Sequence, residues 1–276
     1  MMAPDASRAA GGAPHPLAGR HIAITRPPEQ APELASALEA IGARVTTLSA
    51  IAIVPVEDTT ALDAAARALG TFDWVVLTSA NGVAALASRL VALGIGWGDR
   101  GRAHFAVIGP ATARALELQG ITPDFVPTEY VAEAIAAGLG AVAGRRILLL
   151  RADIARRALA DELRRGGAEV TEVVAYRTLN QPPDVATLRG VFGADRPDVV
   201  TFTSSSTVRG LVRGLEAAGY APERILAGVA LAAIGPITAG TLREHGLEPK
   251  IVAEEYSVPG LVRAILAHFA PAAATC

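Results

Sequence analysis

An internal repeat constrains the fold of this chain more than any other feature. The segment LAGRHIAITRP, which ends at Pro27, matches VAGRRILLLRA, which ends at Ala152, at an offset of 125 residues. Further blocks follow in the same order at offsets of 125 or 126 residues: Gly42–Val45 with Gly167–Val170, Leu77–Val83 with Phe202–Val208, Val107–Pro123 with Ala233–Pro249, and Glu129-Tyr130 with Glu255-Tyr256. A series of blocks in one order is not coincidence. It predicts two related copies of one structural unit, the first copy beginning at Leu17 and the second at Val142.

Each copy alternates short strand patterns with Ala-rich helical patterns. Apolar residues recur at three- and four-residue spacing, as in Leu34, Leu38 and Ile41, which indicates amphipathic helices. Apolar runs rich in β-branched residues with long connections indicate parallel strands covered by helices on both faces. We therefore predict an α/β fold with two parallel-sheet domains. The predicted strands of the first copy are Ile22–Thr25, Trp74–Leu77, Phe105–Ile108 and Asp124–Val126.

Two longer extended segments interrupt this alternation at matching positions, Leu48–Pro55 and Val170–Asn180. Because no flexible Gly/Ser linker occurs elsewhere, we favour two crossings of the chain between domains. The alternative is one more sheet strand in each copy.

Composition excludes several functional classes. Hydrophobic residues make up 51% of the 276 residues and the formal charge is −2, which argues for a packed core and against binding of nucleic acid or a membrane surface. The one cysteine is Cys276, and the five histidines show no H-x-x-x-H spacing, so we expect no metal site. Residues 1–16 have no apolar segment typical of a secretion signal, so we predict a disordered leader and a cytoplasmic protein.

Polar motifs follow the predicted strands directly. Ligands of open parallel sheets bind at the carboxyl ends of the strands, where helix N-termini present unpaired N–H groups to anions. The motifs predicted to bind an anionic ligand at this edge are Arg26, Thr78, Ser79, Gly109 and Thr112, followed in the second copy by Arg151, Ser204, Ser206, Gly235 and Thr238.

Each motif also has a simpler explanation. Ser79, Ser204 and Ser206 are ordinary helix N-cap types, Thr112 and Thr238 suit the first turn of a helix, and Arg26 precedes a proline whose turn it would brace. The duplication of the whole polar edge favours the binding interpretation, because a fold needs one cap per helix and no repeated arginine.

Tyr176 is a lone aromatic hydroxyl in the second long segment, where it would face a ligand cleft or lie at a domain surface. The chain has no G-x-G-x-x-G after the first strand, so a dinucleotide cofactor is not expected, and it has no P-loop motif. Ser-His-Asp series and carboxylate pairs are missing from these loops as well, which predicts little overt acid–base chemistry.

The motifs in this order resemble the uroporphyrinogen-III synthase family: T-R-P after the first strand, the T-S-x-N-x-V and F-T-S-x-S-x-V blocks, the two I-G-P-x-T-A blocks and E-Y before the last helix. The resemblance extends from about Leu17 to His268. The run from Thr203 to Ser206 has serine where the family often has proline.

The resemblance implies a hydro-lyase of haem biosynthesis that needs no cofactor. Its substrate would be hydroxymethylbilane, a linear tetrapyrrole with eight carboxylates, which is closed to uroporphyrinogen III with inversion of the last pyrrole ring and loss of water. It implies two α/β domains, residues 17–50 with 180–276 and residues 56–172. A two-stranded linker (51–55 and 173–179) would join them, with a ligand cleft between the domains.

By the same resemblance Tyr176 would be the acid that assists departure of the hydroxyl, and Arg26 would bind substrate carboxylates. Arg151 joins Arg26 through the repeat alone. We further expect a monomer with transient contact to the enzyme that makes the substrate. The main alternative is a cytosolic two-domain solute-binding or sensor protein for a polycarboxylate. A glycosyl- or phosphotransferase would need an acidic pair or metal ligands on the loops.

Overall fold

The computed structural model of the chain describes residues 15–129, 132–193 and 195–270. The chain divides into two compact units. The first unit is Met1–Ala50 with Pro182–Cys276, and the second unit is Ile51–Gln181. Most of the predicted leader, Tyr130 of the last repeated block and Cys276 lie outside the described residues.

Strands and helices alternate along most of the chain. The strands are β1 (His21–Ile24), β2 (Arg44–Thr47), β3 (Ile51–Pro55), β4 (Trp74–Leu77), β5 (His104–Val107), β6 (Arg146–Ala152), β7 (Glu169–Asn180), β8 (Val199–Phe202), β9 (Ala230–Ala233) and β10 (Ile251–Val252). The helices are α1 (Ala31–Glu39), α2 (Thr60–Arg67), α3 (Ala80–Leu93), α4 (Pro110–Glu117), α5 (Ala132–Gly138), α6 (Ala158–Arg165), α7 (Val185–Phe192), α8 (Ser205–Ala217), α9 (Pro222–Ile225), α10 (Pro236–Glu244) and α11 (Val258–Phe269).

Each unit contains one sheet. The first sheet has the strand order β10-β9-β8-β1-β2, and all its neighbours are parallel. The second has the order β3-β7-β6-β4-β5 and is parallel except for β3, which runs antiparallel to β7. The predicted α/β class with parallel sheets is confirmed. Of the strands predicted in the first copy, Asp124–Val126 is reduced to a single parallel bridge between Phe125 and Ala106.

The inner strands of each sheet carry buried residues on both faces, as the apolar strand patterns predict. In β1, Ile22 and Ile24 pack with Leu34 of α1 and Leu261 of α11, while Ala23 between them packs on the opposite face with Leu211 of α8. The alternation follows from the two-residue period of a strand. Burying each of the two isoleucine side chains stabilises the fold by about 1.5–3 kcal/mol.

The two sheets have the same strand order when the strands are matched through the repeat. Strands β1 and β2 correspond to β6 and β7, and β4 and β5 correspond to β8 and β9. The first sheet reads β10-β9-β8-β1-β2 and the second reads β5-β4-β6-β7, with Phe125 beside β5 where β10 lies beside β9. Each sheet therefore joins the opening strands of one copy to the later strands of the other.

An aspartate makes the same contacts in both sheets. Asp198 accepts the backbone N–H of His21 at 2.8 Å, and Asp73, at the matching position, accepts the N–H of Arg146 at 2.8 Å. The other carboxylate oxygen of each aspartate contacts the arginine that precedes the bonded residue, at 3.0 and 2.9 Å. Each aspartate thus ties the first strand of one copy to a strand of the other copy.

The two long extended segments both contribute to the sheet of the second unit. Ile51–Pro55 is β3, which pairs with the last part of β7 from Ile51 opposite Asn180 to Pro55 opposite Tyr176. The chain passes from the first unit to the second after Ala50 and returns after Gln181. The residues expected to form a linker are therefore adjacent strands of one sheet, next to the points where the chain changes unit.

Candidate functional site

Two serines at matching positions begin helices at the carboxyl ends of their sheets. Ser79 follows β4, and its Oγ accepts the N–H of Gly82 in α3 at 3.1 Å; Ser204 follows β8 and accepts the N–H of Thr207 in α8 at 3.3 Å. Their backbone angles nearly coincide, φ −165° and ψ 157° for Ser79 against φ −165° and ψ 161° for Ser204. Both are true N-caps, and each helix turns the positive end of its dipole toward the carboxyl edge of its sheet.

Gly109 and Gly235 precede α4 and α10 in matching extended conformations, with φ 178° and φ 179°. These angles suit any residue, so backbone freedom does not explain the two glycines. At Gly235 a Cβ atom would lie 3.0 Å from Cδ1 of Tyr256. The Tyr256 ring therefore packs against the start of α10. Tyr256 belongs to a repeated block, but nothing in its spacing indicates this contact.

Thr112 and Thr238 occupy the third position of α4 and α10. Only 3% and 4% of their surfaces are exposed. The helices thus begin where the sequence predicts, but both threonine side chains are enclosed by protein. Their direct contact with a ligand stays a prediction.

The remaining predicted hydroxyls bond within their own units. The Thr78 hydroxyl donates to the carbonyl of Leu150 at 3.4 Å, which links the end of β4 to β6. The Oγ of Ser206 lies 2.8 Å from the Oγ of Ser204. Both residues lie at the predicted edge, and their first contacts hold the loops in place.

Arg26 is an arginine with spare hydrogen-bonding capacity. It lies two residues beyond β1, and 16% of its side chain is exposed. One terminal nitrogen lies 3.5 Å from the carboxylate of Glu33, which is at the limit of a hydrogen bond, and the buried Nε has no partner among the described residues. Burial lowers the pKa of the Arg26 guanidinium, and Glu33 partly offsets this. A guanidinium whose ion pair is weak has hydrogen-bonding capacity left for a carboxylate.

Arg151, the match of Arg26 in the repeat, is already paired. It lies within β6 rather than beyond its end, and its Nε is 3.3 Å from the carboxylate of Glu172 on β7. One of its terminal nitrogens also donates to the carbonyl of Ala155 at 3.1 Å. The repeat therefore identifies Arg151 as the position equivalent to Arg26, but it gives no sign that Glu172 neutralises the charge of Arg151 within the fold.

Tyr176 lies in β7 with its hydroxyl directed at the start of α3. Its oxygen is 2.9 Å from the Oγ of Ser79, and the side chain of Asn81 is a second hydrogen-bond partner. Burial raises the pKa of the Tyr176 hydroxyl above its ordinary value, and the bonds to Ser79 and Asn81 partly offset this, while the charge of Asp153 raises the pKa further. The phenol is therefore protonated at neutral pH and able to donate a proton.

A shift in the pairing register between β6 and β7 sets the direction of the Tyr176 side chain. The register shifts after Arg151, so that Tyr176 rather than Ala175 stands opposite Ala152. Asp153 spans the irregularity, because its N–H donates to the Tyr176 carbonyl at 3.2 Å and its Oδ1 accepts the N–H of Thr178 at 2.9 Å. Such bulges re-aim side chains. Neither Asp153 nor Asn81 was predicted, and only the T-S-x-N block hints at Asn81.

The described residues contain no group of three or more His, Cys, Asp or Glu side chains placed to hold a metal ion. None of the described helices combines the length and apolar character needed to span a bilayer.

Comparison with known proteins identifies similar sequences and folds. Residues 32–263 match the family profile described as HEM4, uroporphyrinogen-III synthase HemD. A uroporphyrinogen-III synthase of Synechococcus elongatus is 36% identical over 258 residues, covering 92% of this chain and 97% of that protein.

Solved structures share the fold at lower identity. A mutant uroporphyrinogen III synthase of Thermus thermophilus has a TM-score of 0.63 at 22% identity, covering 89% of this chain and 97% of that chain. The uroporphyrinogen-III synthetase of Helicobacter pylori has a TM-score of 0.55 at 20% identity, covering 90% of this chain and 99% of that chain.

Proposed function

The chain belongs to the uroporphyrinogen-III synthase family, and from this premise we propose that it closes hydroxymethylbilane to uroporphyrinogen III. The reaction is a hydro-lyase step of tetrapyrrole biosynthesis, in which the last pyrrole ring is inverted and water is lost. Family membership leaves the alternative of a solute-binding or sensor protein without support.

Most of the catalysis is positioning. Departure of the hydroxyl group as water leaves an azafulvene cation, which is itself a strong electrophile, and the electron-rich pyrrole at the other end of the substrate is the nucleophile. Attack through the already substituted pyrrole carbon, by way of a spiro intermediate, requires a defined folding of the substrate. Holding reacting atoms in such a geometry accelerates a reaction without strong acids or bases.

Tyr176 donates the proton that allows the hydroxyl to leave as water. The observation that carries this role is the position of its protonated hydroxyl, 2.9 Å from Ser79 at the N-terminus of α3. A tyrosine is a weak acid, which suits a leaving group on a carbon that forms a stabilised cation.

The anionic substrate suits the positive groups at the C-terminal ends of the strands. The N-termini of α3 and α8 supply N–H groups and dipoles without fixed charge, and Arg26 supplies one cation with an unpaired Nε. A ligand with eight carboxylates has enough of them to bind both helix N-termini and Arg26. We assign Thr78, Gly109, Gly235 and Ser206 a supporting role, in which they set the path of the loops.

Cellular context follows the same proposal. We place the enzyme in the cytoplasm as a monomer that meets the enzyme producing hydroxymethylbilane only transiently. Light scattering coupled to size-exclusion chromatography would contradict the monomer if it gave twice the mass of the chain.

The decisive experiment is isomer analysis. Hydroxymethylbilane is generated enzymatically in the presence of this protein, and the oxidised uroporphyrin isomers are separated by liquid chromatography. The expected product is the type III isomer. A parallel sample with heat-denatured protein reports the uncatalysed type I isomer, and the same outcome with the native protein would refute the proposal.

A further inference from the structure

We propose that Ser79 is a positioning residue for Tyr176, holding the phenol oxygen and connecting it to the N-terminus of α3. The inference rests on the proposed function, in which Tyr176 is the acid. Two contacts of a single atom support it: Ser79 Oγ accepts the N–H of Gly82 at 3.1 Å and lies 2.9 Å from the Tyr176 oxygen.

The hydrogen-bond chain has a productive direction. Either hydroxyl of the pair is able to donate, but Ser79 Oγ already accepts from Gly82. When Ser79 donates to Tyr176, the bonds run head to tail from the helix N–H through Oγ–H to the phenol oxygen, and such chains strengthen each other. The phenol proton then remains free for the departing hydroxyl of the substrate.

This arrangement supports both halves of a proton cycle. As Tyr176 gives its proton to the leaving hydroxyl, negative charge develops on its oxygen, where the Ser79 hydroxyl and the positive end of α3 stabilise it. Attack by the substituted pyrrole carbon forms the spiro intermediate, in which the bond from that carbon to its original methylene then breaks. The free α-carbon of the same pyrrole bonds to that methylene and loses its proton, which returns to the phenolate. The net change is the loss of one water molecule, so atoms and charge balance.

The charged groups around the phenol explain why such support is needed. Asp153, whose N–H donates to the Tyr176 carbonyl and whose carboxylate accepts the N–H of Thr178, is negative and opposes formation of a phenolate. Arg177, the next residue of β7, is paired with Glu57 at 3.1 Å. Ser79, with Asn81 beside it, is the neutral donor that faces the phenol oxygen from α3.

The equivalent serine of the second copy shows that helix capping and contact with a tyrosine are separate roles. Ser204 has the same backbone angles and caps α8, but its Oγ partner is Ser206 at 2.8 Å instead of a tyrosine. A serine N-cap therefore does not require a phenol partner, and the Ser79–Tyr176 contact, which joins the first copy to the second, has no counterpart at Ser204. Ser204 thus provides a matched control for the loss of a serine cap.

The test measures Tyr176 directly, without substrate. Protein labelled with fluorotyrosine, whose phenol titrates at lower pH, is followed by fluorine NMR, and the Tyr176 signal is assigned by its absence in Tyr176→Phe. In Ser79→Ala and Ser79→Gly the phenol should titrate at higher pH than in the wild type. Ser79→Gly guards against misfolding, because glycine is tolerated at an N-cap. Ser79→Thr should restore the wild-type titration, and Ser204→Ala should leave it unmoved.

Activity supplies the second readout. Ser79→Ala and Ser79→Gly should lower kcat by roughly ten-fold, the typical effect of one hydrogen bond to a developing charge, with little change in KM. An unmoved Tyr176 titration in both variants would overturn the inference, as would an equal shift in Ser204→Ala. These outcomes are independent of the isomer analysis: a wild-type enzyme that makes no type III isomer refutes the function, whereas an unmoved phenol refutes only the role of Ser79.

Discussion

The guanidinium of Arg151 lies 3.3 Å from the carboxylate of Glu172, so this arginine has its counter-ion within the fold. Its match in the repeat, Arg26, has only a 3.5 Å contact to the largely exposed Glu33 and a buried Nε without a partner among the described residues. The two equivalent arginines thus differ, because Arg151 is neutralised inside the fold and Arg26 is only weakly paired.

Replacing Arg26 should weaken substrate binding more than it weakens the fold. We expect Arg26→Met to raise KM for hydroxymethylbilane about 10- to 100-fold, the value of about 1.5–3 kcal/mol for hydrogen bonds to a charged group. The melting temperature should change little, because the lost cation is poorly paired. Arg151→Met is the matched control and should lower stability with a smaller change in KM. An equal rise in KM in both variants would show that both arginines bind substrate.

Removing the phenol of Tyr176 should slow turnover without abolishing it. We expect Tyr176→Phe to lower kcat by roughly ten-fold or more, at the low end of acid–base contributions, with KM nearly unchanged. Steady-state assays of type III isomer formation would measure both constants. Unchanged turnover would mean that positioning of the substrate is the whole mechanism.

The same phenol should make stability depend on alkaline pH. Its pKa is raised in the folded protein, mainly by burial. Folding therefore favours the protonated form, and this stability is fully present below the pKa of an unfolded tyrosine, about 10, and is lost as pH rises through the higher folded pKa. Urea unfolding between about pH 9 and about pH 11 should show a smaller decline for Tyr176→Phe than for the wild type. Parallel curves for the two proteins would contradict the expectation.

Much of the fold was accessible from the sequence because strand alternation and the repeat both depend on local patterns. The predicted strand Trp74–Leu77 coincides with β4, and Ser79 lies at a helix start as its motif indicates. The contacts between Tyr176 and Ser79 and between Arg151 and Glu172 were not accessible. Both depend on the register of β6 against β7, which no periodic pattern records, and the Tyr176 contact also follows a register shift after Arg151.

One close approach of backbone segments should be sensitive to a single methyl group. A Cβ atom at Gly210 in α8 would lie 2.4 Å from the carbonyl oxygen of Ala50, where the chain leaves the first unit. We expect Gly210→Ala to lower the free energy of unfolding by about 1–3 kcal/mol.

Gly240 in α10 is the matched control for Gly210→Ala, because nothing lies within 4 Å of its Cβ position. Gly240→Ala should raise the free energy of unfolding by about 0.4–1 kcal/mol, since alanine has less freedom to lose in a helix. Chemical denaturation would measure both variants, and a neutral Gly210→Ala would show that α8 moves away easily.

The exchange of strands between the copies has a consequence for synthesis on the ribosome. The second unit is continuous, so its sheet is complete once residue 181 has emerged, whereas β1 must wait for β8, with Ile22 opposite Val199. Long loop closure of this kind slows folding. We expect pulse-labelled amide exchange to protect Val75 and Leu149 before Ile22 and Ile24. The emerging chain therefore keeps its first strands unpaired with β8 until residue 199 has been made, and a chaperone that shields apolar segments would act on them in that interval.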